Sequence, residues 1–134
     1  MTVQKKIPYR EILKIELEGW CYGIANYPGE MHSSLVHRII EELRPTFYRA
    51  LNERVEIDFL KLASKIAQAS KYCVDERELV ISMLSHLPNP DTLDEESAEY
   101  VQNAIDRVKK TFPDVEDILQ LKWQLDEEDL DEEF

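Results

Sequence analysis

Apolar residues recur at intervals of three and four along nearly the whole chain, and strict alternation is confined to the short run from Val55 to Phe59. That spacing is the signature of amphipathic helices. Pro8 can open a first helix in which Leu13, Leu17, Trp20 and Ile24 share one face, ending near Ala25. A second is predicted from about Glu30, with Met31, Leu35, Ile39 and Leu43 on one stripe and Val36 and Ile40 widening it. Pro45 interrupts this pattern, while Phe47, Tyr48 and Leu51 continue it, so a bent helix or two abutting ones should finish around Asn52.

Asp58 can cap a third helix carrying Phe59, Leu62, Ala63, Ile66 and Ala69, ending near Tyr72. Asp75 and Glu78 have the form of a capping box ahead of Leu79, Val80, Met83, Leu84 and Leu87, and Pro88-Asn89-Pro90 stops that helix. Thr92 with Glu95 offers a further cap, for a helix with Ala98, Val101, Ile105, Val108 and Phe112 before Pro113. A last helix carries Val115, Ile118 and Leu119 toward Trp123 and Leu125. The expectation is an all-α fold, a five- or six-helix bundle or orthogonal helical array, with one helical domain over 1–125 and an acidic tail over 126–134.

With 134 residues, 43% hydrophobic and 33% charged, the chain is long and apolar enough to bury a core. No stretch approaches a membrane span, and the N-terminal residues lack the uninterrupted apolar run of a secretory leader, so a cytoplasmic protein is expected. Cys21 and Cys73 are 52 positions apart with no C-x-x-C, which reads as reduced thiols. Cys21 has no recognisable helix N-terminus or basic neighbour to lower its pKa, so inert burial is expected of it.

Net charge changes the picture through its location. Residues 1–90 hold 12 acids and 12 bases, whereas 91–134 hold 16 acids and 4 bases, which accounts for the whole net charge of −12. The last nine residues, DEEDLDEEF, contain seven carboxylates and no base. Such a segment repels phosphate backbones and anionic lipid and favours a basic protein surface, so direct nucleic-acid or membrane binding is not expected. A helix-turn-helix reading of residues 59–87 fails on the same chemistry, because DERELV puts three acids around one arginine where a recognition helix needs bases or amides.

The only three glycines, Gly19, Gly23 and Gly29, fall in LEGWCYGIANYPGEM. In a helix Gly19 and Gly23 stack on one face and would let a neighbouring backbone approach closely. Tyr27-Pro28-Gly29-Glu30 fits a type II turn, with Gly29 supplying the positive φ. The stretch therefore reads as an inter-helix corner that gathers Trp20, Tyr22 and Tyr27, with no phosphate-binding glycine pattern. If these aromatics face solvent, they form an anchor patch of the kind that dominates protein interfaces.

His37 and Glu41 are four apart and could share a metal, with His32 nearby and His86 or Glu30 as a third ligand, but no H-E-x-x-H or paired Glu-x-x-His motif accompanies them. No cofactor is expected. The C-terminal stretch interleaves Trp123, Leu125, Leu130 and Phe134 with Asp126, Glu127, Glu128 and Asp129, so apolar anchors should stay accessible among repelling charges. It could dock in an apolar groove with a basic rim, or be a solubilising tail that frays beyond Leu125 or folds back on Lys5, Lys6 and Arg10. The chain therefore reads as a non-catalytic adaptor, assembly factor or inhibitor for a basic protein surface, monomeric or homodimeric. Alternatives are a nucleic-acid mimic that inhibits a DNA- or RNA-binding protein, and a metal-dependent enzyme or carrier built on His32, His37 and Glu41.

Overall fold

Pro8 presets the backbone for a helix start, and α1 (Tyr9–Ala25) follows it directly, with the N–H groups of Glu11 and Ile12 bonded to the Pro8 carbonyl. The computed structural model describes residues 7–29, 32–70 and 75–131, with Ser33 and residues 126–131 by backbone alone. The helices that follow are α2 (Ser33–Glu42), α3 (Arg44–Glu53), α4 (Phe59–Ser70), α5 (Glu76–Ser85), α6 (Glu95–Lys109) and α7 (Val115–Asp131). Among the described residues there is no strand, and the architecture is the expected all-α array.

The interrupted second helix is two abutting ones. Pro45 has no N–H to offer the Glu41 carbonyl four residues back, so the ladder breaks there, and the Leu43 N–H closes the last turn of α2 on the Ile40 carbonyl at 3.0 Å. The helix resumes with the Phe47 N–H on the Leu43 carbonyl. The Asp58 carboxylate accepts from the Lys61 N–H at 3.1 Å and Asp75 from the Arg77 N–H at 2.9 Å, so both expected caps form. The Thr92 cap does not. Its hydroxyl donates to the Asn89 carbonyl inside a 3-10 turn over Pro90–Thr92, and Asp94 caps α6 through the Ser97 N–H. An ionised carboxylate outcompetes a hydroxyl at the positive end of a helix.

In α5, Leu79, Val80, Ile81, Met83 and Leu84 are all buried, so this helix is apolar around most of its circumference and sits inside the array. Helices α2, α4, α6 and α7 pack around it. Phe47 and Phe59 meet edge to face, with centroids 5.5 Å apart, at the heart of one continuous apolar cluster. α1 lies outermost, against α4 and α3, and buries only Leu13 and Ile24 fully. Tyr9 holds its start, donating to the Thr46 carbonyl at 3.3 Å and lying under the Arg49 guanidinium.

The alternating run Val55–Phe59 is extended connection rather than strand. Ile57 and Phe59 point inward and Val55 is half-buried, while Glu56 and Asp58 face out. Before it, Arg54 ends α3 in the left-handed region at φ 57°, ψ 36°. The Val55 N–H returns to the Ala50 carbonyl and the Arg54 N–H to the Leu51 carbonyl, the pairing of a Schellman motif. The Tyr100 hydroxyl donates to the Val55 carbonyl at 2.6 Å, and burial pushes its pKa up to about 12.

Candidate interaction surface

At the end of α1 the Asn26 side-chain amide donates to the Tyr22 carbonyl, closing the last turn. The corner that follows is not the expected type II turn, because no described glycine has a positive φ. Gly29 serves contact instead: a Cβ there would lie 2.9 Å from Cε1 of Tyr27, whose ring covers it. Gly29→Ala should therefore cost no more than about 1 kcal/mol in thermal unfolding, since the half-exposed ring can swing away and no left-handed backbone is strained.

Gly19 and Gly23 also depart from expectation. Among the described residues no neighbouring atom would come within 4 Å of a Cβ at either position, so none of their backbone packs there. They floor an open cleft of about 460 Å³ between α1 and α2, walled by Trp20, Tyr27 and Ile39. Trp20 and Tyr27 are thus brought together, while Tyr22 points away on the crest of α1 at 72% exposure. Ile15, one of the large apolar residues that periodicity assigned no role, is exposed on the same crest.

On the other flank of α1 lies a second cleft of about 390 Å³, between α1, the 55–58 connection and α4. Leu13, Leu17, Val55 and Leu62 line its floor, and Arg10, Lys14, Lys61 and Lys65 stand at its rim. Cys21, half-buried, forms part of its wall; burial pushes its thiol pKa up, against the pull of nearby Lys65. A basic neighbour is present after all, and desolvation outweighs it.

Among the C-terminal candidates the structure separates two roles. Trp123 is only 6% exposed and its indole N–H donates to the Leu87 carbonyl at 3.2 Å, so the expectation that it stays accessible as an anchor is corrected. Its position on the inward stripe of α7, with Val115 and Leu119, puts it in the core. Leu125 does face outward, at 51% exposure, together with Leu121 at 57%, one turn earlier, which the sequence reading missed. The pair is visible in the sequence as a four-residue spacing on the face opposite Leu119 and Trp123. The side chains of Asp126, Glu127, Glu128, Asp129 and Leu130, and the whole of Phe134, lie outside the described residues, as do Glu30, Met31, Tyr72 and Cys73.

His32 precedes α2 and its Nδ1 is 2.7 Å from the Ser34 hydroxyl. His37 and Glu41 lie on α2, and His86, at the end of α5, is close enough to feel both electrostatically. Among the described residues no three His, Cys, Asp or Glu side chains converge to hold a metal ion. The Nε2 of His86 is buried without a hydrogen-bond partner among them. Burial lowers its pKa from 6.5, Arg44, Lys122 and His37 push the same way, and Glu41 opposes. The folded protein therefore resists a proton that the unfolded chain accepts, so stability should fall as pH drops through 6.5 toward the lowered value. Unfolding midpoints between pH 7 and 5 should show this slope in the parent and a shallower one in His86→Gln; equal slopes would remove His86 from the account.

Among the described residues no helix is long and apolar enough to cross a membrane. Comparisons with protein families, with characterised proteins and with solved structures find no match to this chain.

Proposed function

We propose that the protein is a non-catalytic binding module, an adaptor, assembly factor or inhibitor that engages a basic protein surface through its acidic C-terminal third. The observation that carries this reading is the outer face of α7, where Leu121 and Leu125 stand exposed on a helix whose backbone runs on to Asp131. Apolar side chains at that spacing suit helix-in-groove recognition, with surrounding carboxylates speeding encounter and setting partner choice. Residues 91–134 hold 16 acids against four bases, and one of those bases, Arg107, pairs with Glu56 outside the region.

A cytosolic setting belongs to the same reading. Affinity capture from cell extract at low salt, repeated at high salt, tests it. The chain should retain basic proteins at low salt and release them as salt rises. Replacing the seven carboxylates of 126–134 by amides, or Leu121 and Leu125 by serine, should abolish retention. Unchanged retention by both variants would overturn the proposal. If the captured protein binds nucleic acid and the two compete for it, mimicry becomes the mode of action.

A further inference from the structure

The cleft between α1 and α4 carries a charge sign opposite to that of the molecule. Arg10 and Lys14 are one turn apart on α1, and Lys61 and Lys65 one turn apart on α4. Like charges at that spacing destabilise their own helices. None of the four forms an ion pair with a described residue, although the chain has 28 acids. Three carboxylates share the lining: Glu56 pairs with Arg107 on α6 at 3.3 Å, Asp58 caps α4 at the Lys61 N–H, and Glu18 forms no ion pair with a described residue.

Beneath these cations the floor is hydrocarbon. The lining runs from Arg10 to Cys21, eleven helical steps, or about 16 Å at the rise of an α-helix. A groove of that length, apolar inside and with two cations on each helical edge against three carboxylates in all, complements a peptide that presents apolar side chains inward and carboxylates toward those cations. The chain itself contains such a peptide. Residues 126–134 carry seven carboxylates, with Leu130 and Phe134 four positions apart.

We infer that this cleft receives the acidic C-terminal segment of a second copy of the chain, an inference that rests on the docking role proposed for that segment. The donor is taken as a second copy because α7, helical through Asp131, packs on α5 and α6, whereas the cleft is walled by α1 and α4, with which α7 has no comparable packing among the described residues. The resulting contact is head to tail, with different surfaces on the two partners.

Sedimentation velocity on the purified full-length chain, across a concentration series and at two salt levels, is the test. The parent should associate reversibly and dissociate as salt rises. Two full-length variants split the interface: Lys61→Glu with Lys65→Glu disables the cleft, and conversion of the seven tail carboxylates to amides disables the tail. Each alone should show its dissociation constant raised at least about tenfold. Mixed, they should recover a dimer, because one intact cleft meets one intact tail. A control, Lys110→Glu with Lys122→Glu, matches the charge change outside the cleft and should associate at least as well as expected for its net charge, with no tenfold loss. Both lysine pairs are exposed, and unchanged helical circular dichroism verifies folding.

A monomeric parent at every concentration, a cleft variant that associates like the parent, or a mixture that stays monomeric would each overturn the inference. Those results leave the proposed function standing if capture of a foreign basic protein still depends on the tail. Conversely, a recovered mixed dimer with no such capture supports the inference and confines tail docking to copies of this chain.

Discussion

Trp123→Ala should lower the stability of the protein by about 3–5 kcal/mol, the range for emptying a large aromatic site in a packed core. The indole is buried against the body of the array and holds the chain just after α5 through its bond to the Leu87 carbonyl. Removing it opens a cavity and strips a hydrogen-bond donor from a buried carbonyl. Trp123→Phe keeps most of the packing and loses the donor, so it should cost less, about 1–3 kcal/mol. Denaturant unfolding with an unchanged slope would show that the native state, and not residual structure in the unfolded chain, carries the effect. Leu125→Ala, two residues away on the outer face, should change stability by no more than about 0.5 kcal/mol. A reversal of that order, with Leu125 costly and Trp123 neutral, would contradict the inward orientation of α7 described above.

The second large effect is expected at Arg54. Its guanidinium donates to the Leu51 carbonyl at 2.6 Å and to the Ser97 hydroxyl at 3.0 Å, tying the end of α3 to the first turn of α6. Asp94 and Glu96 lie 3.8 and 3.7 Å away, but both are well exposed, so these ion pairs add little beside the hydrogen bonds. The backbone of Arg54 is left-handed, which costs a non-glycine residue about 1 kcal/mol. Arg54→Ala keeps that cost and loses the clamp, and should destabilise by about 1–3 kcal/mol. Arg54→Gly loses the same clamp and relieves the backbone, so it should be the milder variant by roughly 1 kcal/mol. Equal losses in chemical denaturation would mean that the left-handed conformation is not maintained in solution, while no loss in either would remove the clamp from the energetics.

Arg54 also shows why some features were illegible. Periodicity placed the end of α3 within a residue or so, yet a helix that stops in the left-handed region without glycine or asparagine leaves no mark in composition. The side chain compensates through partners 43 positions away, and such a distance is invisible to local pattern. Gly29 is the converse. It sits after a proline, the sequence form of a turn glycine, but a tyrosine ring over its α-carbon is what makes it small.

The basic cleft was missed for a similar reason. Arg10, Lys14, Lys61 and Lys65 are scattered through residues 1–90, whose charges sum to zero, and only the packing of α1 on α4 sets them round one apolar floor. Trp123 was misassigned because an acidic run begins three residues after it, whereas in the fold it lies on the inward stripe of α7 with Val115 and Leu119. Leu121 and Leu125 stand before the same run and occupy the other side of α7.

Local spacing alone dictated the helices, the interruption at Pro45, two of the three expected aspartate- or threonine-led caps and the crowding of carboxylates into the last third, because each depends on residues within a turn or two of one another. Packing decided the rest: that α5 is the central helix, that Trp123 is inside and Leu125 outside, and that, among the described residues, the glycine face of α1 stays open and four cations converge without an ion-pair partner. Those are properties of helices meeting one another, and a period of 3.6 residues says which face of a helix is apolar without saying what will lie against it.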